Sequence, residues 1–107
     1  MLKGGSMKQG DIAVLKMKKM LRIGQVENEN AYVCELSSYD IQRAELFFAL
    51  KDEELTELSL EAIYECQIQT EEGILACTGR IRERYCEQGK KILKLQVENG
   101  FYKISIK

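Results

Sequence analysis

From Ala62 to Gln69 the chain reads AIYECQIQ, and apolar and polar positions alternate. Tyr64, Cys66 and Ile68 fall on one face, and Glu65, Gln67 and Gln69 on the other. A period of two is the signature of a half-buried strand. The same reading gives strands in ILACTGRIRERY (74–85), in ILKLQV (92–97) and in FYKISI (101–106). The segments TEEG, EQGK and NG lie between them as turns. A TEEG loop pairs Gln69 with Ile74, Cys66 with Cys77 and Tyr64 with Gly79. A loop of Gln88, Gly89 and Lys90 sets Tyr85 opposite Leu93 and Ile81 opposite Val97. Asn99-Gly100, a strong hairpin signal, sets Val97 against Tyr102, Leu95 against Ile104 and Leu93 against Ile106. A slip of one residue would exchange the faces, yet all three turns bring inward residues together. The pattern therefore predicts a four-stranded antiparallel meander in the C-terminal half, with Leu95 near the centre of its inner face.

The N-terminal half gives shorter strands. DIAVLKM (11–17) and LRIGQV (21–26) flank a basic turn, KMKKM, and NENEN is polar turn material. AYVCEL (31–36) and AELFFAL (44–50) follow, the latter with Ala44, Leu46, Phe48 and Leu50 inward. DEELTEL (52–58) is compatible with one helical turn. Six or seven short strands in hairpin order predict an all-β fold, a small antiparallel β-barrel or split barrel. Closure would also remove exposed strand edges.

Composition narrows the picture. The 107 residues make one domain, expected over 7–107 behind a flexible leader at 1–6. The formal net charge of −1 argues against a dedicated nucleic-acid binder. No apolar run approaches the roughly 20 residues of a membrane span, and MLKGGSMKQGD lacks the apolar stretch of a secretory signal. The expected location is the cytoplasm. The four cysteines, Cys34, Cys66, Cys77 and Cys86, form no C-x-x-C pair, and histidine is absent. Buried, reduced thiols are expected rather than a zinc site, and no metal or cofactor. Without histidine there is no Ser-His or Cys-His dyad, so a non-enzymatic role is expected.

The candidate chemistry is cationic. Arg80, Arg82 and Arg84 recur every second residue and share one outward face of their strand. The registers above place Arg80 opposite Glu98, Arg82 opposite Glu61 and Arg84 opposite Lys94. Exposed pairs of the first two kinds contribute little. A like-charged Arg84–Lys94 pair would be relieved by an anion, since guanidinium presents a rigid fork to phosphate or carboxylate. Arg84 is thus the leading anion- or partner-binding candidate. A second basic group, Lys16, Lys18, Lys19 and Arg22, reads as a solvated turn or a polyanion contact. Phe47 and Phe101 are expected to face outward and Tyr85 inward.

Arg80 and Arg84 also form an R-x-x-x-R pair, which resembles the arginine motif of PilZ domains. In that family the pair lies in a flexible segment ahead of the barrel and is followed by D/N-x-S-x-x-G. Here it lies within a strand and no such sequence follows, so the nucleotide site is not carried over and no cyclic di-GMP binding is expected. The order DIAVLKMKKMLRIGQV, AYVCELSS, AELFFALKDEELTELSLEAIYECQI and TGRIRERY resembles the N-terminal split-barrel domain that precedes PilZ in bacterial flagellar-brake-type proteins. The resemblance covers nearly all of the chain. It implies a non-enzymatic regulatory module that docks against a PilZ domain or a motor component, linked to cyclic di-GMP signalling or motility without binding the nucleotide itself. The alternative is a small OB- or SH3-like barrel that contacts nucleic acid through the lysines and the arginine stripe.

Overall fold

A computed structural model describes residues 7–20, 31–51 and 58–105. Among these residues six strands, β1 (Ile12–Met20), β2 (Ala31–Asp40), β3 (Glu45–Leu50), β4 (Ala62–Thr70), β5 (Gly73–Glu87) and β6 (Lys90–Ser105), close into a barrel in the order β1-β2-β3-β6-β5-β4. Every neighbouring pair is antiparallel. The expected all-β barrel is the observed fold. No helix among the described residues is long and apolar enough to cross a membrane. The expected strand 21–26, the leader 1–6 and most of the expected helical turn at 52–58 lie outside the described residues.

Alternation sets what fills the barrel. Ala13, Leu15 and Met17 of β1, Tyr32, Cys34 and Leu36 of β2, and Leu46, Phe48 and Leu50 of β3 point inward. Tyr64, Cys66 and Ile68 of β4, Leu75, Cys77 and Ile81 of β5, and Leu93, Leu95 and Val97 of β6 complete the ring. Met7 and Leu58 add to this core from outside the strands. Burying such side chains is the main favourable term in folding. Cys34, Cys66 and Cys77 are buried free thiols, and Cys86 is an exposed one. Burial pushes the Cys66 thiol well above its ordinary range, and its hydrogen bond with Cys77 adds to that, so Cys66 stays protonated.

The β4–β5 register is the expected one: Gln69 faces Ile74, Cys66 faces Cys77 and Tyr64 faces Gly79. The strands run one pair further, Thr70 to Gly73, and the Thr70 hydroxyl donates to the Gly73 carbonyl at 2.7 Å.

The β5–β6 register differs from expectation in three places. First, the turn is Gln88-Gly89 alone, with Glu87 opposite Lys90. Both residues have positive φ, 51° and 79°, as the tight two-residue hairpin turn requires. Tyr85 therefore faces Ile92, and Arg84 faces Leu93. Second, the register shifts between Ile81 and Glu83, leaving Arg82 as the extra residue of a bulge, and Ile81 meets Leu95. Third, Asn99-Gly100 is not a turn. Neither residue has a positive φ, and β6 runs on through them to pair Thr78 with Asn99 and Ala76 with Tyr102. The four-stranded meander is thus three-stranded, β4-β5-β6. The reason is reach: β5 is 15 residues long, and only an equally long β6 partners it from end to end.

Two side-chain expectations change with it. Tyr85 turns outward beside Ile92, and Phe101 packs against the core. Leu95 is fully buried as expected, but between Leu46 and Ile81 rather than against Ile104. The basic turn is likewise a strand. Lys16 to Met20 continue β1 alongside β4, with a bulge at Lys18 between the Met17–Tyr64 and Lys19–Ile63 pairs.

Candidate functional site

The arginine stripe does not survive the bulge at Arg82. Arg84 lies opposite the buried Leu93 and so belongs to the inner side, where its Nη1 donates to the Leu58 carbonyl at 2.6 Å. Nearby, the Tyr64 hydroxyl accepts the Ser59 N–H at 2.8 Å. Burial pushes the Tyr64 hydroxyl above its ordinary value, against the opposing pull of the Ser59 N–H and the Arg84 charge. Arg84 therefore ties the Leu58–Ser59 segment to the barrel, and the expected Arg84–Lys94 repulsion does not arise. Lys94 faces Glu83 across the strands, and its ammonium sits 3.1 Å from Glu45 and 3.6 Å from Glu83. The hydrogen bond with Glu45 raises the Lys94 pKa.

A like-charged Arg84–Lys94 pair predicts that Arg84→Ala is neutral or stabilising; the bond to Leu58 reverses the sign. Removing the guanidinium leaves the Leu58 carbonyl without that donor, a loss of about 1.5–3 kcal/mol for a hydrogen bond to a charged group. Arg82 is exposed, and among the described residues no carboxylate pairs with it. Arg82→Ala should leave stability within about 0.5 kcal/mol of the parent. Urea midpoints of the two variants, measured side by side, decide this. Equal midpoints would mean that Arg84 has no structural part.

The other cations lie on β5 and β1. Arg80 is half-buried on β5, between Ile63 of β4 and Gln96 of β6. Its Nε lies 2.8 Å from a Glu98 carboxylate oxygen, so the expected partner is right although the register is not. The same Nε is buried without an aligned hydrogen bond, which makes this a charge contact rather than a directed bond. Lys16 and Lys18 are exposed on β1, Lys16 directly opposite Glu65. Lys19 lies opposite Ile63, and Arg22 is outside the described residues.

Between these groups the outer wall carries a recess of about 260 Å3, lined by Lys18, Ile63, Thr78, Glu98 and Asn99. Four strands, β1, β4, β5 and β6, contribute to it. Asn99 Nδ2 donates to the Thr78 hydroxyl at 2.9 Å, which fixes both side chains. The recess coincides with irregular pairing: the bulge at Lys18, and register shifts on both sides of Thr78. Bulges bend a strand and re-aim its side chains.

Of the candidates read from sequence, the structure brings Lys18 and Arg80 to one place and sends Arg84 and Lys94 elsewhere. Ile63 and Thr78 carry no chemical signal in the sequence, and Glu98 and Asn99 read there only as a partner for Arg80 and as part of a turn. Thr78-Gly79 inside a strand pattern was the available signal, because glycine there marks a bulge or a close backbone approach. Among the described residues no group of acidic or cysteine side chains is arranged to hold a metal ion. Comparison with protein-family models, with curated proteins and with solved structures finds no match for this chain.

Proposed function

We propose that this chain is a non-enzymatic protein-interaction module, a regulatory β-barrel of PilZ-like type that acts in the bacterial cytoplasm. Its outer surface is the working part, because the interior is filled by apolar side chains. The observation that carries the reading is how the cations are disposed. Arg80 contacts Glu98, Lys94 is held by Glu45 and Glu83, and Arg84 is drawn to the Leu58 carbonyl. What remains is a mixed-charge wall with hydroxyl and amide groups, which suits a protein partner. A polyanion binder needs a continuous basic face. In keeping with the resemblance, the partner is a PilZ domain or a motor component.

The test mixes the purified protein with PilZ domains and flagellar-motor components from the same genome, and separately with a mixed-sequence single-stranded oligonucleotide, at low and physiological salt. A protein complex that persists at physiological salt is the expected result. Oligonucleotide binding that falls steeply with salt, with no protein complex, would favour the nucleic-acid barrel instead.

A further inference from the structure

We propose that the recess between β1, β4, β5 and β6 receives a carboxylate side chain from an acidic peptide segment of the protein partner. This rests on the interaction-module reading and names the point of contact and its chemistry.

The charge at the recess is the first argument. Glu98 and Arg80 largely cancel one another across 2.8 Å. Lys18 is exposed, and no carboxylate among the described residues pairs with it. Among the residues that line the recess, Lys18 therefore carries the uncompensated charge. The Thr78 hydroxyl oxygen accepts from Asn99, which leaves its own proton to donate. An ammonium and a hydroxyl are the donors a carboxylate accepts from, and Ile63 supplies an apolar wall for the methylenes that carry it.

Size and surroundings select among anions. About 260 Å3 is smaller than the roughly 300–1,000 Å3 of pockets for whole small molecules, so the recess suits a side chain better than a dinucleotide. Glu98 lines the recess and Glu65 lies on the same wall, opposite Lys16 and Thr78. These carboxylates oppose the dense charge of a phosphate chain more than a single carboxylate. Three departures from regular pairing, at Lys18 and on both sides of Thr78, converge here. Each gives up ladder pairing, and the bulge in β1 falls at Lys18, whose side chain lines the recess.

The test is an amide NMR titration of the whole labelled protein with an end-capped oligoglutamate peptide, with the matching oligoglutamine peptide and inorganic phosphate as separate arms. Oligoglutamate should shift the amides of Lys18, Ile63, Thr78 and Asn99, while oligoglutamine should not. Lys18→Gln should weaken that binding about tenfold, as loss of one charge-assisted hydrogen bond implies, and Lys90→Gln on the far hairpin should not. Shifts spread evenly over the exposed lysines, or unchanged affinity in Lys18→Gln, would overturn the proposal. So would phosphate reproducing the oligoglutamate shifts at equal concentration, since the recess would then be an inorganic-anion site. A protein partner that binds Lys18→Gln as tightly as the parent removes this contact point while leaving the interaction module standing.

Discussion

Gly79→Ala should destabilise the barrel by about 3 kcal/mol, at the upper end of the range for overpacking a well-filled site. The cause is space rather than backbone conformation, because Gly79 has no positive φ. A Cβ at this position would lie 2.2 Å from the Gln96 carbonyl oxygen, 2.9 Å from its carbon and 3.1 Å from the Val97 Cα. All three are backbone atoms, so no rotamer change relieves the contact. The strands cannot drift apart easily either: β5 is pinned by β4 on its other side, and β6 by β3. Gly100 is the internal control. It lies on β6 with nothing within 4 Å of its would-be Cβ and no positive φ. Gly100→Ala should be neutral or slightly stabilising. Urea denaturation of both variants is the measurement. A loss below about 1 kcal/mol for Gly79→Ala would mean that β5 and β6 are further apart than described.

Leu95→Ala should cost about 2–5 kcal/mol. Leu95 has no exposed surface, lies between Leu46 of β3 and Ile81 of β5, and is flanked along β6 by Leu93 and Val97. Strands closed into a ring have little freedom to collapse onto the missing atoms, so part of the void persists. For a domain of this size the melting temperature should fall about 4–8 °C for each kcal/mol lost. Leu60, at 45% exposure, is the contrasting position, and Leu60→Ala should change little. Calorimetry showing the two variants melting together would place Leu95 outside the core.

The β4–β5 hairpin was legible because its turn and its alternation agree without any irregularity between them: Cys66 and Cys77, Tyr64 and Gly79 find one another on either count. The β5–β6 pair was not, because a bulge leaves no mark on hydrophobic period. Arg82 looks like one more outward position of a regular strand, yet as the extra residue it carries Arg84 and Tyr85 to opposite faces. At Asn99-Gly100 a strong local turn signal lost to a tertiary requirement, the need of Gly73–Thr78 for a partner. Misreading that turn also hid part of the candidate site. The local signal places Asn99 in a loop, and nothing in the sequence pairs it with Thr78 across the strands. The basic residues themselves were legible as types. Which of them stay available depends on acids brought near by the register, as with Glu98 beside Arg80 and Glu45 beside Lys94.

The order in which the ring is joined bears on how it forms. β4, β5 and β6 follow one another through two tight turns, so their pairing closes only short loops of chain. The seam between β3 and β6 is different: Glu45 must find Gln96, and Ala49 must find Ile92, across all of β4 and β5. Long loops pay their closure entropy before any contact rewards it. The C-terminal hairpins should therefore pair early, and the β3–β6 seam, like the equally long-range β1–β4 seam, should pair late. Until that seam zips, β3 and β6 each present an unpaired edge, and the half-formed sheet is the species most prone to pair with another copy of itself.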